Sequence, residues 1–102
     1  MKTGVELIAA ERQRQISVEG WTPEHDDEHT NGEIAGAAAC YAVSKEVRYL
    51  NVGVSWMEVW PPEWDFKPKN RLADLVRAGA LIAAEIDRLQ RAAHHTETGA
   101  GT

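Results

Sequence analysis

Residues 70–93, NRLADLVRAGALIAAEIDRLQRAA, decide the fold class. Within them Leu72, Leu75, Val76, Gly79, Ile82, Ala83, Ile86 and Leu89 repeat at spacings of three and four, the pattern of one apolar helix face. Asn70 is placed to cap the first turn with its side chain. A helix over residues 71–93 rises 1.5 Å per residue and would be about 35 Å long. Gly79 weakens it by about 1 kcal/mol relative to alanine, and leaves a gap where another helix can approach closely. Residues 94–102 read as a flexible tail.

Just upstream, residues 47–70 cannot be one helix, because Pro61, Pro62 and Pro68 interrupt them. Val52, Val54 and Trp56 alternate, as in a short strand or extended segment. Trp56, Trp60, Trp64 and Phe66 supply four of the seven aromatic residues. So much aromatic surface in an irregular segment must be buried or form a binding surface. Further upstream, residues 31–46 read as a second helix with Ile34, Ala37, Ala38, Tyr41 and Ala42 on its apolar face. Its start, Thr30-Asn31-Gly32-Glu33, has the spacing of a capping box. Residues 20–32 read as a loop around Gly20, Pro23 and Asn31, pinned to the core by Trp21. Residues 4–16 read as the first helix, with Val5, Ile8, Ala9, Arg12 and Ile16 in one stripe.

These elements predict an all-α fold: three principal helices, bundle-like, with a Trp/Pro-rich irregular insertion before the last and longest one. At 102 residues the chain is expected to form a single helical domain, residues 1–93, followed by the tail. A domain of that size has a thin core, which favours a homo-oligomer. The lone Cys40 excludes an internal disulfide and fits a reducing, cytoplasmic setting. The N-terminal stretch, with Lys2, Glu6 and Glu11, lacks the apolar run of a secretory signal, and no segment reaches the length of a membrane span. The net charge of -5 argues against a long nucleic acid as partner. Residues 1–46 hold four Lys/Arg and nine Asp/Glu, so the acidity is N-terminal.

Three groups of residues could carry chemistry. The first is the acidic loop Glu24-His25-Asp26-Asp27-Glu28-His29 with Glu33, which Glu11 joins if the first helix packs beside it. Carboxylates suit Mg²⁺ or Mn²⁺; the same acids also suit a solvated loop near the positive end of a helix. The second is Lys67, Lys69 and Arg71 at the start of the long helix, with Arg77 two turns in. Free amides at a helix N-terminus and nearby cations attract phosphate, or the lysines are simply solvated, and Glu63 and Asp65 dilute the positive field. The third is Trp56, Trp60 and Trp64, whose indole faces can stack on a base or pack as core under the loop. Cys40 lies among alanines, the usual place of an inert thiol. His94 and His95 fall in the tail.

The strings Glu11-Arg12-Gln13-Arg14-Gln15, Gly20 to Asp27, His29, Gly32-Glu33, Ala37 to Ala42, Trp60, Trp64, Lys67-Pro68-Lys69, Arg71 and the Asp74-to-Arg88 helix resemble small proteins encoded by phages and prophages. More distantly, the chain is similar to MazG-type nucleotide pyrophosphohydrolases, all-helical Mg²⁺-dependent enzymes with a comparable Glu-Arg-x-Arg-Gln helix and His-Asp loop. Their metal site uses Glu-Glu-x-x-Glu on one helix and Glu-x-x-Asp on the next. Here the second helix offers only Glu33 and, far along, Glu46, and Arg71-Leu72-Ala73-Asp74 stands where Glu-x-x-Asp is expected.

The resemblance, the tryptophans and the basic start of the long helix together point to a small nucleotide as ligand, contacted by Trp21, His25, Trp60, Trp64, Lys67, Lys69, Arg71 and Arg77. A phage protein of this kind would sequester a host signalling nucleotide as an anti-defence device. An enzymatic alternative is a divergent pyrophosphohydrolase with Mg²⁺ as cofactor, held by Glu11, Asp26, Asp27, Glu33 and Asp74. A third is a protein-interaction module using the Trp-rich loop as its surface. The nucleotide readings place residues 24–33 and 67–77 around a shared cleft beside an indole ring, and fail if those stretches lie on opposite sides of the molecule.

Overall fold

Three helices of ten residues or more carry the molecule, and each starts for a local reason. In the computed structural model the described residues are 1–48, 51–52 and 54–100 for the backbone, and 1–48 and 58–94 for the side chains. The first helix, α1 (Gly4–Ser17), opens with a capping box: the Thr3 hydroxyl accepts from the Glu6 N–H, and the Glu6 carboxylate accepts from the Thr3 N–H at 2.9 Å. A four-residue helix follows, α2 (Pro23–Asp26), with Thr22 as its cap and Pro23 in its first turn. The region expected as an open loop is therefore partly helical.

The next helix, α3 (Glu33–Ala42), starts later than expected, and Thr30 does not cap it. Its N-cap is Gly32, whose φ of +82° is left-handed and favours glycine. The Glu33 carboxylate reaches back to the Asn31 N–H at 2.6 Å instead, so the expected box with Thr30 does not form. The helix breaks at Val43, which is extended, and resumes as the short α4 (Lys45–Arg48). Asn51–Val52 (β1) and Val54–Ser55 (β2) then form a two-residue antiparallel rung, and Trp56–Val59 a 3-10 turn. Val52 and Val54 are thus extended, whereas Trp56 starts the 3-10 turn, and whether the three side chains alternate lies outside the described residues. Glu63 has a φ of +75°, unusual for a non-glycine residue.

The longest helix, α5 (Arg71–Ala100), begins where Asn70 predicted, with its side-chain oxygen accepting from the Ala73 N–H at 2.9 Å. It does not stop at residue 93 but runs on to Ala100, since no proline intervenes. Helix α5 packs on both α1 and α3. The contact with α3 joins small faces, Ala37 and Ala38 against Ala78 and Ala84, with Ile34, Tyr41 and Leu81 as the larger members of the cluster.

One expectation is reversed by this packing. The Leu/Ile stripe of α5 does not face the core; Leu72, Leu75, Ile82, Ile86 and Leu89 are all exposed, and the residues turned inward are Ala78, Ala80, Leu81 and Ala84. Alanine faces let helix axes approach closely, whereas leucines at the same positions would hold them apart. At Gly79 the gap is taken by α1, because a Cβ there would lie 2.6 Å from Ile8 Cδ1. On the other side of α3, a Cβ at Gly36 would collide with the Val59 carbonyl oxygen. No helix among the described residues is long and apolar enough to cross a membrane. Gly36→Ala is expected to destabilise the fold by about 1–3 kcal/mol, read as a lower urea midpoint with an unchanged slope.

Candidate functional site

Trp21 anchors the turn between α1 and α2. Its N–H donates to the Gln15 carbonyl at 2.9 Å, and its own carbonyl accepts from Arg12 at 3.2 Å. The same Arg12 donates to Asp26 at 2.8 Å, a pair whose side chains are almost enclosed. This fixes α2 against α1, and with it His25.

On the opposite side, residues 60–66 lay an aromatic wall over α3. Trp60 packs on Phe66 at 4.8 Å between ring centroids and on Tyr41 at 5.6 Å, while Trp64 packs on His29 at 5.0 Å, and His29 on His25 at 4.9 Å. The Trp60 indole N–H donates to the Trp64 carbonyl at 2.7 Å. Tyr41 is the joint between wall and helix. Its hydroxyl accepts from the Lys67 N–H and from Arg77, each at 3.1 Å, and the Arg77 guanidinium sits 5.0 Å from the centre of its ring.

Between these two halves lies a cavity of about 310 Å³. Its walls include Trp21, His25, Trp60, Trp64, Lys67 and Arg77, all expected as ligand contacts. Residues 24–33 and 67–77 therefore do share a cleft beside indole rings. Arg14, Glu19, Asp26, Tyr41 and Asp65 also line it, and of these only Asp26 was expected to have a site role, as a metal ligand. A signal for Tyr41 existed: a single phenol on a face of alanines must place its hydroxyl against a donor. The other three carry no distinguishing pattern in the chain.

Lys69 and Arg71 stand outside the cavity lining. The Lys69 N–H donates to Asp74 Oδ1 at 2.7 Å, and Arg71 donates to the Ala42 carbonyl at 2.7 Å. With Asn70 holding the Ala73 N–H as well, the amides at the start of α5 are partly spent within the chain, which leaves less for a phosphate.

The five carboxylates expected to gather a metal do not converge, and among the described residues no group of three or more His, Cys, Asp or Glu is placed to hold an ion. The reason is that each acid is already engaged. Glu11 takes Arg14 at 2.7 and 3.0 Å and Gln15 at 3.2 Å; Asp26 takes Arg12; Asp27 takes Arg91 at 2.8 Å. Glu33 takes the Asn31 N–H, and Asp74 takes the Lys69 N–H with Arg48 at 3.6 Å. Two nitrogens nearby are differently placed: His25 Nδ1 and His29 Nε2 are buried and have no hydrogen-bond partner among the described residues, and His25 Nδ1 is 3.5 Å from Asp26 Oδ1. Cys40 is fully buried and its carbonyl accepts from Arg48 at 2.8 Å. Burial pushes its thiol pKa up against the opposing charge of Arg48, which fits the inert role expected of it.

No protein-family model, curated protein or solved structure matches the chain.

Burial pushes the Glu11 carboxyl up, but the Arg14 hydrogen bonds and charge, the Gln15 amide and Arg77 pull it down further, leaving it below its ordinary value of 4.5. A carboxyl lowered by folding adds stability above its ordinary value, and that contribution is lost as pH falls through the folded value. Thermal denaturation is therefore expected to show the wild type above Glu11→Gln at pH 7, with the gap closing below pH 4.5.

Proposed function

We infer that the protein binds a small nucleotide-like phosphate ligand in the cavity between the Trp21 turn and the aromatic wall. One observation carries this reading: indole rings from two separate segments, Trp21 on one side and Trp60 and Trp64 on the other, enclose a space that Lys67 and Arg77 also reach. A volume of about 310 Å³ falls at the lower end of small-ligand pockets, which run from ~300 to ~1,000 Å³. An aromatic face supports a base by stacking, and a cation supports a phosphate oxygen. The His25 ring also lines this space.

Charge limits the ligand class. Asp26 and Glu19 are neutralised by Arg12 and Arg14, at 2.8 and 3.0 Å, but Asp65 faces the same space as Lys67. The lining is nearly balanced in charge, so it favours a ligand with one phosphate over a triphosphate. Binding is also favoured over hydrolysis. Two-metal cleavage of a nucleoside triphosphate needs several carboxylates held around the ions, and the acids here are spent on arginines and backbone amides.

In this reading the resemblance to phage and prophage proteins, and the more distant one to MazG-type enzymes, makes the chain a cytoplasmic scavenger. It acts as a homo-oligomer, removing a host signalling nucleotide and so blunting a defence. The architecture is a three-helix bundle of α1, α3 and α5, with the Trp/Pro-rich segment inserted before α5 to carry the aromatic wall.

Calorimetry against mono-, di-, tri- and cyclic nucleotides, with and without Mg²⁺, tests the reading. Heat is expected for a monophosphate or cyclic nucleotide without added metal. Lys67→Ala is expected to weaken that binding about 10-fold, the worth of one charge-assisted hydrogen bond, and Trp21→Ala by a similar factor. An absence of heat with every nucleotide would overturn it.

A further inference from the structure

The exposed stripe on α5 is the largest departure from ordinary burial in the molecule. Leu72, Leu75, Ile82, Ile86 and Leu89 are between 42 % and 64 % exposed, while Asp74 and Arg88 of the same helix are buried. Taken with Gly79, these positions alternate in steps of three and four without a break: 72, 75, 79, 82, 86, 89. That is the a and d pattern of a helix seam. The one small residue in it is filled from the same chain, since Ile8 of α1 occupies the space at Gly79.

The stripe continues sideways onto α3. Ala35, Ala39 and Ala42 form, with Ile82 and Ile86, a shallow groove of about 220 Å³. Five half-exposed aliphatic side chains together present on the order of 400 Å² of apolar surface, already within the range of the largest patch on a typical monomer. The groove beside it adds little to that, so the face covers a little over half of the ~800 Å² per partner of a standard interface, the size of a small, concentration-dependent dimer.

The pattern also says what covers it. A two-fold contact needs a surface that complements itself. Turning the stripe about an axis between Ala80 and Leu81 sets Leu72 opposite Leu89, Leu75 opposite Ile86, and Gly79 opposite Ile82. Every large residue then meets a large one, except at the axis, where Ile82 meets the Gly79 position filled by Ile8. Beside the seam lie Val76, Ala83 and Gln90 on one side and Glu85 on the other, and the two-fold sets Glu85 opposite Val76, so no like charges face each other there. Glu85 is paired within its own helix with Arg88. A net charge of -5 does not suit an anionic membrane surface as the occupant.

We propose that this face joins a second copy of the chain, with the two α5 helices antiparallel across a two-fold axis near residues 80 and 81. The thin core expected of 102 residues is then completed by the partner. The nucleotide cavity is separate from this face, and the proposal stands without it.

Light scattering on the full chain at tens of micromolar is expected to give twice the chain mass. Ile82→Asp puts an unpaired charge at the seam and is expected to weaken association at least ~100-fold, with the helical circular-dichroism signal retained because Ile82 is exposed in the single chain. A second measurement does not depend on that variant. Chains carrying Leu75→Cys mixed with chains carrying Ile86→Cys are expected to cross-link on oxidation. Leu75→Cys alone is not, because eleven residues of offset put those sulfurs about 16 Å apart. Cys40 is fully buried and does not compete. A monomer at these concentrations, a dimer untouched by Ile82→Asp, or cross-linking by Leu75→Cys alone would each overturn the proposal. The first of these would leave the face to a foreign partner.

Discussion

The approach of α3 to α5 through alanines is the constraint on which the rest depends. Ala37 and Ala38 share one buried cluster with Ala78 and Ala84, in which Ile34, Tyr41 and Leu81 are the larger members. Two consequences follow. The large aliphatic residues of α5 are displaced to the outer face, and the aromatic residues take over the work of filling the other side of α3. Tyr41, Trp60 and Phe66 pack there with centroid separations of 4.8 to 5.6 Å. The cavity sits between that aromatic layer and α2, so its position follows from how close two alanine faces can come.

Arginines secure the remaining elements. Arg12 holds α2 through Asp26, Arg91 holds it again through Asp27 and the Pro23 carbonyl, and Arg48 ties α4 to Cys40 and Asp74. The Arg12–Asp26 and Arg48–Asp74 pairs are largely enclosed, where losing one partner strands the other charge. A small domain that fills its interior with alanine and ion pairs gains little from apolar burial within one chain, which is why the outer aliphatic face carries so much of its remaining apolar surface.

Local signals were the legible part of the sequence. Asn70 marked the start of α5, and residues 4–16 fell within one residue of α1, because caps and periodicity act over a few neighbouring positions. Six of the eight expected ligand contacts line one cavity. What the chain could not express was the partner of each face. Periodicity reveals that α5 has an apolar stripe but not which neighbour covers it, and alanines, silent in such patterns, turned out to form the inner side. The two readings of the acidic loop could not be separated for a related reason: composition counts carboxylates but does not show the arginines, 14 to 64 residues away, that engage Asp26 and Asp27. Arg14, Glu19 and Asp65 reach the cavity through tertiary placement alone.

The turn at Pro61 to Trp64 has a consequence for recognition. Glu63 is held in a left-handed conformation, and the Trp60 ring is latched to the Trp64 carbonyl. The two indoles also meet edge to face, 6.4 Å between centroids, so each ring buttresses the other and no slot opens between them. A flat guest would therefore lie against this pair rather than between its rings; it would not have to order loose side chains on arrival, and would lose correspondingly little of its affinity to entropy. The same buttressing works against guests of other shapes, since a ring braced by its neighbour yields little to admit them.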